Sequence, residues 1–92
     1  MSRPRKSVMA SLQKKGFVMT EGDHSYFIYH TLTGKKTIVK TKVSHSGKDI
    51  SKVLMGLMAK QCKLSSLEFH ELVDCPLSQE KYEEKLAEQG LT

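Results

Sequence analysis

The 92 residues, 38% hydrophobic and 27% charged, suffice for one small domain with a modest core and are too few for a deep cofactor cleft plus a substrate domain. No apolar run approaches the roughly 18 residues of a membrane span, and the basic start Met1-Ser2-Arg3-Pro4-Arg5-Lys6 leads into an amphipathic pattern, which argues against a secretory signal and for a soluble, cytoplasmic protein. Residues 1–63 carry thirteen Lys/Arg against three acids, a formal +10, and residues 64–92 carry two lysines against seven acids, a formal −5; so concentrated a positive segment favours a polyanion, with nucleic acid the leading partner.

In chain order, Ser7 to Lys15 reads as a helix: Val8, Met9 and Leu12 make an apolar face, Pro4 suits the entry and Gly16 the C′ position. Phe17 to Glu21 is β-prone, and Gly22-Asp23 supplies a turn into a second strand of about His24 to His30. That corner sets a turn glycine and an imidazole, whose ordinary pKa of about 6.5 suits proton transfer, directly before an aromatic run. Thr31-Leu32-Thr33-Gly34-Lys35 forms the next corner. The third strand, Lys36 to Val43, alternates Val39, Thr41 and Val43 with Lys40 and Lys42. Parity groups His24, Tyr26 and Ile28 on one side of the second strand and Ser25, Phe27 and Tyr29 on the other; the register decides which set shares the lysine face.

After the polar loop Ser44-His45-Ser46-Gly47-Lys48, a helix opening near Asp49 carries the stripe Ile50, Val53, Leu54, Leu57, Met58 and Cys62, expected to be core. Met9, Met19, Met55 and Met58 read as gap-fillers. Ser65-Ser66-Leu67-Glu68 fits a capping box opening a short helix to Val73, and Ser78 caps a last helix through Gln89, stopped by Gly90. That helix shows only a thin seam, Tyr82 and Leu86, and its packing is expected to be peripheral. Cys62 and Cys75 are too few and too far apart for a disulfide framework or a zinc site and read as buried thiols.

A basic helix, Gly16-Phe17, a strand, Gly22-Asp23-His24, an aromatic strand, the Thr33-Gly34 turn, a valine-rich strand, His45-Ser46-Gly47-Lys48-Asp49-Ile50 and an amphipathic helix follow one another. This order resembles the HicA family of bacterial and archaeal toxins, small mRNA interferases on a fold similar to double-stranded-RNA-binding domains. The resemblance covers residues 5–72 of a single domain spanning 1–92 and leaves 73–92 as an acidic C-terminal helical extension. It implies an α+β fold, α-β-β-β-α, with helices on one face of a three-stranded antiparallel sheet. It also implies RNA cleavage with His24 catalytic, Gly22 supporting its geometry, and a HicB-type antitoxin as protein partner; no cofactor is expected.

Metal-free RNA cleavage needs a base for the 2′-hydroxyl, an acid for the leaving oxygen, and positive charge over the phosphate. His24 is the candidate for proton transfer, and Lys36, Lys40 and Lys42, with Lys14, Lys15 and Lys48, are the candidates for phosphate contacts. Tyr26 and Tyr29 are either base-stacking or buried tyrosines. None of His24, His30, His45 and His70 is spaced i, i+4 from another, no carboxylate cluster accompanies them, and Ser/His/Asp, Walker and Rossmann patterns are absent. Two alternatives stand beside the enzyme: a non-catalytic RNA-binding module, and an interaction protein whose acidic tail docks on a basic face.

Overall fold

Residues 3–22, 25–43, 48–74 and 76–92 are described by the computed structural model. Helix α1 (Arg5–Lys14) follows a two-residue strand, β1 (Arg3–Pro4), and buries Val8 and Leu12. Gly16 ends it at φ +98°, where a side chain is strained, and a Cβ there would lie 2.9 Å from the Tyr29 ring and run into the Gln79 amide. Strands β2 (Phe17–Glu21), β3 (Ser25–His30) and β4 (Lys36–Val43) form one antiparallel sheet in that order. Its registers include Met19↔Phe27↔Thr41 and Val18↔Ile28↔Lys40. Between β3 and β4 the corner is closed by Gly34 N–H donating to Thr31 O at 2.8 Å and Thr31 N–H to Lys35 O at 2.9 Å.

The pairing shifts between Ile28 and His30, which lies opposite Lys36. There the Thr37 hydroxyl donates to Tyr29 O at 2.8 Å and accepts from Val39 N–H at 3.2 Å, a side chain standing in the ladder. A second, two-stranded sheet joins β1 to β5 (Asp49–Ile50), a pairing the sequence reading did not anticipate.

Three further helices follow: α2 (Lys52–Gln61), α3 (Ser66–Asp74) and α4 (Gln79–Glu88). The expected capping box is present, with Ser65 N–H donating to Glu68 Oε1 at 3.0 Å and Glu68 N–H to Ser65 Oγ at 3.1 Å. Ser78 caps α4 by accepting from Lys81 N–H at 3.2 Å. The helices cover one face of the sheet, so the α+β architecture expected from the sequence is the one found. Phe17, Phe27, Tyr29, Val39, Thr41 and Val43 lie buried beneath them.

Two packing expectations are corrected. Ile50 belongs to β5, and α2 starts only after Ser51, whose hydroxyl accepts from Leu54 N–H. The buried set of α2 is therefore Met55, Met58 and Ala59, with Cys62 just beyond, while Val53, Leu54 and Leu57 are exposed. Nor is α4 peripheral. Tyr82 and Leu86 are fully buried, Tyr82 stacks on Phe17 with ring centroids 5.8 Å apart and meets Tyr29 edge-on at 5.0 Å, and its hydroxyl donates to Cys62 O at 2.9 Å. A seam of two residues is enough when one is an aromatic ring with its polar end satisfied.

Leu86→Ala should therefore cost about 2–5 kcal/mol, the usual range for emptying a buried leucine site; chemical denaturation that detects under 1 kcal/mol would return α4 to the periphery. The bond from Lys85 and then the Ser65 N–H hold the Glu68 carboxyl down at about 2. Its folded pKa being depressed, that stabilisation is present above the ordinary carboxylate value of about 4.3 and is lost as pH falls toward 2. The denaturation midpoints of wild type and Glu68→Gln should differ at about pH 6 and converge toward pH 2.

Candidate nucleic-acid interface

Because side chains alternate along a strand, burying one set exposes the other. The register resolves what parity left open: Tyr26 and Ile28 share the lysine face, Tyr26 opposite Lys42 and Ile28 opposite Lys40, with His30 opposite Lys36. Val18 and Ile38 lie exposed on the same face. Neither β3 nor β4 contains a carboxylate, so the charged side chains that these two strands place on the uncovered surface are basic, with the Tyr26 ring among them. The Lys40 ammonium sits 5.3 Å from the centroid of the Tyr26 ring, a cation–π contact worth about 0.5–1 kcal/mol at an exposed site. The His30 ring is oriented by Nδ1–H donating to Ile28 O at 3.0 Å.

The six lysine candidates divide. Lys36, Lys40 and Lys42 come together on the open face. Lys14 is exposed at the end of α1, and Lys48 is exposed beside Arg5 and Lys6 along a separate groove that also takes in Asp49. Lys15 is corrected: it is buried, its Nζ donating to Leu77 O at 2.6 Å and Leu72 O at 3.1 Å, and it ties α1 to the end of α3 and the segment before α4 instead of meeting phosphate. Gly22 is an exposed bend directly after β2. His24, like His45 and Cys75, lies outside the described residues; the strands flanking it pair as Glu21↔Ser25.

Helix α4 packs through Tyr82 on the inner face, so its carboxylates lie on the helix side of the sheet and not over the three lysines. Glu83 accepts from the Tyr29 hydroxyl and from Leu32 N–H, each at 2.8 Å. Burial pushes the Cys62 thiol up to about 12, which makes it a packing group and not a nucleophile. Among the described residues no three His, Cys, Asp or Glu gather as a metal site, and no helix is long and apolar enough to cross a membrane.

One neighbour of the basic face escaped the sequence reading. Gln61, the last residue of α2, accepts from the Thr41 hydroxyl at 2.6 Å and borders a depression with Tyr26, Lys40 and Lys42. Nothing in the sequence marks a glutamine at a helix end; only the docking of α2 against β4 places it there. Comparison with protein-family models, curated proteins and solved structures finds no match for the chain.

The two kinds of lysine should separate in denaturation experiments. Lys15→Met strands two carbonyls and should lose about 1–3 kcal/mol, while Lys42→Ala should stay within about 0.5 kcal/mol of wild type. Equal stabilities would mean that Lys15 contributes no internal bond.

Proposed function

We propose that the protein binds single-stranded RNA across the open face of the sheet and cleaves it, as an mRNA interferase toxin of the HicA kind acting in the cytoplasm. The observation that carries this reading is the uncovered face on which Lys40 and Lys42 flank Tyr26 and Lys36 lies opposite His30, with no carboxylate on either β3 or β4. Lysines neutralise phosphates without regard to sequence, and an aromatic ring offers a base a stacking partner. Replacing the Lys40–Tyr26 contact with a base is favourable, since base stacking on an aromatic is worth about 1–3 kcal/mol. In solution Lys40 is then free to meet phosphate.

For the chemistry, His24, next in sequence before the first residue of β3, is the proton-transfer group. The RNA's own 2′-hydroxyl attacks the adjacent phosphorus as its proton leaves to a base. The bond to the 5′-oxygen breaks with a proton supplied to that oxygen, and a 2′,3′-cyclic phosphate and a free 5′-hydroxyl remain. A HicB-type antitoxin is the proposed protein partner. Its support is the set of exposed apolar side chains Val53, Leu54 and Leu57, which share one face of α2, since exposed apolar surface of this kind on a small protein commonly marks an interaction site.

Affinity for a labelled single strand should fall with salt at a log–log slope of roughly 2, about 0.7 for each of three phosphate contacts, and Lys42→Ala should lower the slope by about 0.7. Cleavage should persist in excess EDTA, fail on a strand with deoxyribose at the scissile position, and vanish in His24→Ala with binding retained. Binding without cleavage by the wild type would identify a non-catalytic RNA-binding module; flat salt dependence would remove the lysine face from the function.

A further inference from the structure

We propose that the notch where β4 meets the end of α2 reads one base of the bound strand, with Tyr26 as stacking platform and Gln61 as reader, and selects bases that present a carbonyl oxygen over bases that present an amino group. The proposal rests on RNA binding by the open sheet face and adds which base that face holds.

Tyr26, Lys40, Thr41, Lys42 and Gln61 line this one depression. In this arrangement the four other than Gln61 have different work: the ammonium groups meet phosphate, the Tyr26 ring offers its π-face to any base, and Thr41 is only 1% exposed. Gln61 differs because it is both exposed and oriented. Its Oε1 accepts from the Thr41 hydroxyl at 2.6 Å, and Thr41 is fixed in turn by its place on the inner face of β4, opposite Phe27. One lone pair of the amide oxygen is thus engaged by Thr41, and the Nε2 protons, which make no bond of this kind, are the donors Gln61 offers to a ligand.

A base stacked on Tyr26 takes the position that the Lys40 ammonium occupies in the free protein, and brings its polar edge toward β4 and Gln61. A donor there satisfies uracil O4 or guanine O6 and faces the amino group of cytosine or adenine donor to donor. Uracil and cytosine make the cleanest comparison, because ring size, stacking face and phosphate charge are alike and the difference lies in one exocyclic group. The lysines then give strength and Gln61 gives choice.

The full-length protein is titrated with fluorescein-labelled 2′-O-methyl strands of uridine and of cytidine, about eight nucleotides long; the methyl group removes the attacking hydroxyl and keeps the strands intact. Wild type should bind the uridine strand about fivefold more tightly, the effect of one hydrogen bond made rather than opposed. Gln61→Ala should bring the ratio near one. Gln61→Glu, which still accepts from Thr41 but offers no donor, should lower both affinities and turn the ratio toward cytidine. Tyr26→Ala should weaken both strands, by roughly tenfold. Equal binding of the two strands by the wild type, or a ratio unchanged in Gln61→Ala, overturns the base-reading role and leaves RNA binding standing. Failure to bind either strand at low salt overturns both.

Discussion

A slip of one residue between β3 and β4 would turn this sheet inside out. The pairing sets Phe27 against Thr41 on the helix side and Ile28 against Lys40 on the open side, and with a side-chain period of two there is no intermediate arrangement. Slipping β4 by one would drive Lys40 and Lys42 toward the space filled by Val39, Thr41 and Val43, where an unpaired ammonium costs several kcal/mol. The alternation that builds the core is therefore the same one that builds the basic face, and that face is as firmly specified as the hydrophobic packing behind it.

Behind the sheet the second constraint is aromatic. Phe17, Tyr29 and Tyr82, from β2, β3 and α4, meet with ring centroids between 5.0 and 5.8 Å apart, geometries in which ring edges and faces attract beyond simple burial. Both tyrosine hydroxyls find acceptors, Tyr82 on Cys62 O and Tyr29 on Glu83, and burial pushes both phenols above their ordinary range, so they remain neutral donors. Gly16 is the clearance that lets Gln79 and Tyr29 close over the end of α1. The C-terminal helix thus completes the core, and one hydrophobic cluster runs from Val8 to Leu86.

What the sequence made legible follows from how local each signal is. Capping by Ser65 with Glu68 and by Ser78, the glycine stops at Gly16 and Gly34, and the alternation of β4 are decided within a few residues, and all were readable. The open face was half readable, since parity paired Tyr26 with Ile28 but only the register could set them beside Lys40 and Lys42. What failed depended on distant partners. The stripe from Ile50 to Leu57 has helical spacing, yet β5 pairing with β1 takes Ile50 out of the helix and the burial of α2 rotates to Met55, Met58 and Ala59. Lys15 looks like its neighbour Lys14 until the carbonyls of Leu72 and Leu77, 57 and 62 residues away in sequence, are brought to its ammonium. Gln61 acquires its position by the same kind of long-range docking.

Net charge misleads for a related reason. The formal +5 counts groups that the fold has already used: Arg3 pairs with Asp74, Lys85 with Glu68, and Lys15 holds carbonyls. Of the α4 acids, Glu83 is taken up by the Tyr29 hydroxyl and Leu32 N–H, and the exposed Glu80, Glu84 and Glu88 lie on the helix side, separated from the lysine face by the sheet and the layer packed on it, a thickness on the order of 10 Å. At physiological ionic strength the screening length is about 8 Å, so exposed charges that far apart scarcely feel each other. A polyanion approaching the open face meets Lys36, Lys40 and Lys42 with no carboxylate on β3 or β4 to oppose them. The local potential there is set by these three lysines and not by the whole-chain balance. Among the described residues, keeping the α4 acids on the helix side lets β3 and β4 present lysines with no carboxylate of their own between them.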